Sequence, residues 1–163
     1  MRKFLALALL SLYATATLAA PRADKISWKD GNKDFDGYLV WDDASKAPRP
    51  GLVMVPNWYG VNDSAVAKAK TLAGRDYVIL LADVYGRGIR PANPDEAGKA
   101  SGAAGADPAA LRAHAAAALA TLRGAGKLAP VDSARIGAIG FCFGGAVALE
   151  LARSGADLKG VAT

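Results

Sequence analysis

Residues 135–153, RIGAIGFCFGGAVALELAR, give the clearest indication of the fold. The stretch opens with a short run that lacks polar alternation, which is typical of a strand covered on both faces. It closes with residues 146–153, which are nearly all apolar and good helix formers. Cys142 lies between the two, flanked by Gly140 and Gly144. We therefore predict a buried strand that turns sharply into a helix, with a cysteine at the turn.

Similar strands and helices alternate through the chain on either side of this stretch. Further buried strands are predicted at residues 51–56, 77–83 and 158–163. Helices are predicted after a cap at Asn62 or Asp63, from Pro94 towards Gly102, and after the Asp107-Pro108 cap. Residues 25–29 and 34–42 predict a hairpin that turns at residues 30–32. The fold class is therefore α/β, a mostly parallel sheet with an N-terminal β-hairpin and right-handed crossovers.

Composition describes a single folded domain. The 163 residues are 52% hydrophobic, with 20 Lys and Arg against 15 Asp and Glu and one cysteine. These values exclude a disordered chain and a disulfide scaffold. The basic residues are scattered among acids, as in residues 25–36, so no nucleic-acid partner is expected.

The first residues resemble a leader. Arg2 and Lys3 form a basic start, an apolar run follows, and residues 17–19 are the kind that a signal peptidase reads. We predict a signal peptide over residues 1–19, an exported domain over residues 20–163, and a periplasmic or secreted location. A membrane anchor is the alternative, but the apolar run is shorter than the roughly 20 residues of a bilayer span. No stable membrane association is expected.

Cys142 has the surroundings of a nucleophile. Small residues two before and two after it, here Gly140 and Gly144, are what a nucleophile elbow requires, with cysteine in place of serine. A helix N-terminus also favours the thiolate. The alternative is a buried cysteine that acts as a small apolar side chain.

Three motifs in order carry a resemblance to a known family. They are GFCFGG at residues 140–145, NWYGVN at residues 57–62 and ADVYGR at residues 82–87. From about residue 34 onward the chain resembles the dienelactone hydrolase family of α/β-hydrolases. The resemblance implies a Cys-His-Asp triad that cleaves a small-molecule ester or lactone through a thioester on Cys142. It also implies an oxyanion hole from the backbone N–H groups of Trp58 and Phe143.

Two further site residues follow from the resemblance. Arg87 matches an arginine that helps to bind a substrate carboxylate in the family; a surface loop arginine is the alternative. Asn57 stands where the family commonly has a glutamate that interacts with the resting thiol. An amide can hydrogen-bond but cannot take a proton, so this position departs from the family.

The larger departure concerns the triad partners. No histidine follows Cys142, and the acids after it are Glu150 and Asp157. The single histidine, His114, is predicted in mid-helix, where a structural role is expected. We therefore expect a fold truncated before its last strands, with the triad Asp and His beyond residue 163 and this portion alone inactive.

Other functions are alternatives to hydrolysis. A non-catalytic exported binding domain on a hydrolase scaffold, or an inactive fragment, is the main alternative, and a redox enzyme with one reactive thiol is another. Nucleotide-binding glycine motifs are absent from the sequence, and one Cys with one His cannot supply a zinc site. No cofactor and no metal are therefore expected, and the oligomeric state is left open.

Overall fold

The computed structural model describes residues 21–44 and 46–163. The predicted signal peptide lies outside the described residues. Strands and helices alternate after an initial pair of strands. The strands are β1 (Arg22–Asp30), β2 (Lys33–Trp41), β3 (Arg49–Val55), β4 (Val78–Leu81), β5 (Val131–Gly140) and β6 (Val161–Ala162). The helices are α1 (Asp63–Ala73), α2 (Pro94–Gly105), α3 (Pro108–Gly124) and α4 (Phe143–Arg153), and a 3₁₀ turn, Ala125–Lys127, follows α3.

The strands form one sheet in the order β1-β2-β4-β3-β5-β6. The predicted hairpin is confirmed: β1 pairs antiparallel with β2, and Trp28 lies opposite Phe35. Its turn contains Gly31 at φ +56°, a left-handed conformation that glycine adopts without strain. β2 continues antiparallel to β4, whereas the β4-β3, β3-β5 and β5-β6 pairs are parallel. The mostly parallel sheet is therefore also confirmed.

β5 is longer than the sequence indicated. It begins at Val131 rather than residue 135, and its register against β3 shifts between Pro50 and Gly51. The carboxylate of Asp132 accepts hydrogen bonds from the Ala134 N–H and the Arg135 side chain within the bulge. Because these polar residues interrupt the apolar run, the sequence pattern did not predict the first half of the strand.

The helices begin at polar caps. Asn62, not Asp63, caps α1 by accepting a hydrogen bond from the Ala65 N–H at 2.9 Å. Asn93 and Asp107 cap α2 and α3 in the same way, each followed by proline at the start of the helix. The weaker predicted helix is thus present as α2. α4 begins at Phe143, earlier than the expected residue 146, because its first residues already follow the turn at Cys142.

The central strands are buried on both faces. Val53 and Leu80 pack in one apolar cluster with residues of α3 and α4, whereas Met54 and Ile79 pack with residues of α1 in another. Because β3 pairs in parallel with both β4 and β5, the carboxyl ends of these three strands lie at one edge of the sheet. Cys142 follows β5 at this edge, and the segments after β3 and β4 lie there too. Within the described residues, no helix is long and apolar enough to cross a bilayer.

The packing of α3 on the sheet gives a first prediction. Leu122 is fully buried and its side chain lies beside Gly51 of β3. Leu122→Ala should lower the free energy of unfolding by about 2–5 kcal/mol, because it leaves a cavity in a packed core. Leu128→Ala is the matched control, since Leu128 is 62% exposed. Urea unfolding of the two variants measures the difference; equal losses would contradict this packing.

Candidate active site

The backbone at Cys142 is the most unusual local conformation in the structure. Cys142 has φ 55° and ψ −118°, and no other non-glycine residue among those described has a positive φ. Such a conformation costs of order 1–3 kcal/mol for a residue with a side chain. It presents the Cys142 side chain at the surface, at the first turn of α4. The Cys142 side chain is therefore exposed at a strained turn between β5 and α4; this turn, residues 140–145, is called the elbow below.

Gly140 and Gly144 allow this turn because the backbone crowds both positions. A Cβ at Gly140 would lie 2.0 Å from the carbonyl oxygen of Gly144. A Cβ at Gly144 would lie 2.2 Å from the carbonyl oxygen of Val55, at the end of β3. Backbone atoms cannot move aside as a flexible side chain does. The close approach of the backbone therefore leaves no room for a side chain at either glycine.

The start of α4 offers backbone N–H groups beside the thiol. The N–H of Gly144 donates to the Phe141 carbonyl at 3.0 Å, and that of Gly145 to the Cys142 carbonyl at 2.9 Å. Among the hydrogen bonds of the described residues, none is donated by the backbone N–H of Phe143. Phe143 is the first residue of α4, and its N–H is one of the N–H groups without a partner within the helix at its N-terminus, where Cys142 lies.

The segment after β3 forms a tight turn next to the elbow. The Phe141 N–H donates to the Val55 carbonyl at 3.2 Å, which ties the two segments together. In the turn, the Gly60 N–H donates to the Asn57 carbonyl at 2.9 Å. The N–H of Trp58 donates no hydrogen bond among the described residues. Like the N–H of Phe143, it is therefore available to a bound ligand.

The Asn57 side chain supports this turn. Its Oδ1 accepts a hydrogen bond from the Tyr59 N–H at 3.0 Å. Asn57 also lines a cavity of about 130 Å³ together with Phe141 and Lys68, and the Lys68 ammonium lies 4.1 Å from the centre of the Phe141 ring. Asn57 therefore has a structural task in the turn as well as a position near the elbow.

Arg87 lies at the same edge of the sheet but is held by acids of β2. Its Nε donates to Asp36 at 2.9 Å, and its Nη1 lies 3.4 Å from Asp34. This guanidinium, with the Ser27 hydroxyl, keeps the pKa of Asp36 below its usual value. Arg87 lines a groove of about 720 Å³, which Asn57 does not line; Asn62 borders both this groove and the cavity at Asn57. A carboxylate bound by Arg87 would have to compete with Asp36.

The segment after β4 contributes a residue that sequence reasoning passed over. Tyr85 is 3% exposed, its hydroxyl donates to the Trp58 carbonyl at 2.9 Å, and its ring centre lies 5.6 Å from that of Phe143. The buried carboxylate of Asp83 accepts the N–H groups of Tyr85 and Gly86. The signal was present in the ADVYGR motif, where only the arginine was singled out.

The other titratable candidates have partners away from Cys142. His114 packs against Phe35 with ring centres 4.7 Å apart, and burial is the main cause of its lowered pKa. Glu150 pairs with Arg112 and Arg153, and Asp157 pairs with Lys159 and Arg123. The structural role expected of His114 agrees with this packing, and Glu150 and Asp157 are each engaged in ion pairs. Groups of acids, His and Cys suited to a metal ion are absent from the described residues.

The strand order, the crossovers and the elbow define the α/β-hydrolase fold. The dienelactone hydrolase family model matches residues 35–163, and the chain belongs to that family. Its solved relatives agree with this result. The protein m3DLH is 42% identical with a TM-score of 0.77, over 87% of this chain and 58% of that one. A dienelactone hydrolase-like promiscuous phosphotriesterase from metagenomic libraries is 36% identical with a TM-score of 0.79, over 88% of this chain and 59% of that one.

More distant structures share the fold alone. A dienelactone hydrolase-type protein from Klebsiella pneumoniae is 19% identical with a TM-score of 0.61, over 77% of this chain and 52% of that one. This chain therefore spans less than two thirds of the length of the relatives it matches. No curated protein sequence matches it.

The crowding at Gly144 gives a second prediction. Gly144→Ala should lower the free energy of unfolding by more than about 2 kcal/mol, because its Cβ would meet backbone atoms of β3. Gly102→Ala in α2 is the control: its Cβ meets nothing within 4 Å, and alanine there should stabilise the helix by about 0.5–1 kcal/mol. Tryptophan fluorescence during urea unfolding measures both; a Gly144 variant as stable as the parent would contradict the close approach.

Proposed function

We propose that this chain is the N-terminal part of an exported hydrolase that cleaves a small-molecule ester or lactone with Cys142 as its nucleophile. The observation that carries the proposal is the left-handed backbone of Cys142 at the start of α4. A strained conformation of this kind is typical of functional sites, where it exposes a nucleophilic side chain to the substrate. Membership of the dienelactone hydrolase family supports the ester or lactone substrate class.

The first half of the proposed reaction is acylation. The Cys142 thiolate attacks the carbonyl carbon, a C–S bond forms, and the carbonyl π pair moves onto oxygen. The backbone N–H groups of Phe143 and Trp58 donate to this oxyanion. When the carbonyl re-forms, the C–O bond to the leaving alcohol breaks and the alcohol takes a proton from the general acid. The product is a thioester on Cys142.

Deacylation returns the enzyme to its starting state. A general base takes a proton from water, the hydroxide attacks the thioester carbonyl, and the C–S bond breaks to release the acid. His114 is packed against Phe35, and its Nε2 lies 3.7 Å from a carboxylate oxygen of Asp30, so we do not assign it as this base. The solved relatives are longer than this chain. We therefore propose that the triad Asp and His follow residue 163.

Asn57 and Arg87 enter the proposal with different weights. Asn57 lies in the turn after β3, residues 57–60, which also holds Trp58. Its amide NH2 can donate to a bound substrate while its Oδ1 accepts the Tyr59 N–H. Arg87 is proposed as a substrate-carboxylate partner only in exchange for its contacts with Asp36 and Asp34. Apolar rings of Trp58 and Tyr59, 5.6 Å apart, form one wall near the turn.

A second candidate reaction is phosphotriester hydrolysis. It is suggested by the description of the 36% identical relative as a promiscuous phosphotriesterase. An exposed thiol next to N–H donors suits a tetrahedral phosphoryl centre as well as a carbonyl. A triaryl or dialkyl aryl phosphate therefore belongs beside the esters in any activity assay.

The role of Cys142 gives a third prediction. In the complete protein, Cys142→Ala should lower kcat/KM for an activated ester by at least about 10³-fold, because the covalent route is lost. Iodoacetamide should label the parent at Cys142 with matching loss of activity, and excess substrate should protect it. Ser101→Ala, which deletes a hydroxyl group within α2, is a control that should retain activity. Undiminished turnover by the Cys142 variant would refute the nucleophile.

The proposed export gives a fourth prediction. The protein isolated from its source should begin at Ala20, because residues 17–19 suit a signal peptidase and residues 2–3 supply the basic start. N-terminal sequencing or intact mass measures the processing site directly. An N-terminus at Met1 in the cell interior would contradict export. The Cys142→Ala substitution should leave the processing site unchanged.

A further inference from the structure

Two separate segments supply the proposed oxyanion donors, and one side chain touches both. The Trp58 N–H comes from the turn after β3, and the Phe143 N–H from the start of α4. Tyr85, from the segment after β4, lies against each of them. Its hydroxyl donates to the Trp58 carbonyl at 2.9 Å, and its ring centre is 5.6 Å from that of Phe143.

The contact with the turn after β3 is specific in its geometry. The peptide that joins Trp58 to Tyr59 is held at both polar ends: its carbonyl accepts from Tyr85, and its N–H donates to Asn57 Oδ1 at 3.0 Å. A Cβ placed on Gly60 would lie 3.1 Å from the Tyr85 ring, so the ring also packs on the end of the turn. The Trp58 N–H belongs to the preceding peptide plane, whose Asn57 carbonyl accepts from the Gly60 N–H at 2.9 Å. Both peptide planes on either side of the Trp58 Cα are therefore held by hydrogen bonds, one of them from Tyr85.

Tyr85 is itself held firmly in place. Asp83 Oδ1 accepts the Tyr85 N–H at 2.9 Å and the Gly86 N–H at 3.0 Å. The other carboxylate oxygen of Asp83 accepts from Arg90 at 3.2 Å. Burial, followed by the charges of Asp83 and Cys142, raises the pKa of Tyr85 to about 12. The hydroxyl therefore stays protonated and remains a donor to Trp58 at neutral pH.

We propose that Tyr85 is a positioning residue that sets the spacing of the two oxyanion donors, through its hydroxyl on the turn of Trp58 and its ring on Phe143. This inference rests on the proposed function. Tyr85 does not touch the reacting atoms in the proposed reaction. It acts through Trp58 and Phe143, whose N–H groups must lie about 2.7–3.1 Å from the developing oxyanion.

The test compares Tyr85→Phe with Tyr77→Phe in the complete protein. Phenylalanine keeps the ring on Phe143 and Gly60 and removes only the hydroxyl. Tyr77 is 37% exposed and precedes β4, at the far end of the sheet, so its variant loses the same atom away from the site. Tyr85→Phe should lower kcat/KM for an activated ester about 10–100-fold, less than or equal to the loss of a whole donor. Tyr77→Phe should leave it within about twofold.

Two thiol probes separate positioning from a merely structural role. An aryl trifluoromethyl ketone adds the Cys142 sulfur to its carbonyl carbon and forms an oxyanion, whereas iodoacetamide alkylates the sulfur, releases iodide and forms none. Tyr85→Phe should weaken ketone binding by the same factor as kcat/KM and leave the alkylation rate within about twofold. Equal losses in both probes, a variant that does not fold, or no loss in either would overturn the proposal.

Failure of the proposed function would look different. In that case Cys142→Ala would keep its turnover, or the parent would bind no ketone, whatever the Tyr85 variant does. Failure of the positioning role alone would leave the parent active and Cys142→Ala inactive, with Tyr85→Phe matching the parent.

Discussion

The close approach of the turn after β5 to the end of β3 is the constraint on which the site depends. Gly144 lies against the carbonyl oxygens of Val55 and Pro56, with room for no side chain, and Gly140 lies against Gly144 itself. This contact leaves Cys142 in a left-handed conformation at the first turn of α4. The strain is stored locally and is held by β3 and β5, which pair in parallel through the centre of the sheet.

The parallel centre of the sheet also decides which segments meet. β3, β4 and β5 lie side by side and run parallel, so the segments that follow them gather at one end of the sheet. The turn of Trp58, the loop of Tyr85 and the elbow of Cys142 come from these three segments. Tyr85 joins the other two by a hydrogen bond and a ring contact. Polar groups farther out, such as Arg87 with Asp36, tie the hairpin to the same edge.

The features that sequence reasoning predicted are those encoded locally. The hairpin, the buried strands, the capped helices and the glycines around Cys142 all follow from spacing within a few residues. Contacts between distant segments were not predicted. The Tyr85 hydroxyl reaches Trp58 across 27 positions, and Arg87 reaches Asp36 across 51, and both depend on which strands are neighbours. The first half of β5 was missed because Asp132 and Arg135 interrupt its apolar pattern in a bulge.

We propose that the strained backbone at Cys142 serves covalent catalysis. The most direct measurement is the intact mass of the complete protein, quenched in acid within milliseconds of mixing with an activated ester and then fragmented. We expect one acyl group per chain, located on Cys142, which forms and decays at rates that explain turnover. Turnover with an unmodified Cys142 throughout, or with the acyl group on another residue, would contradict it.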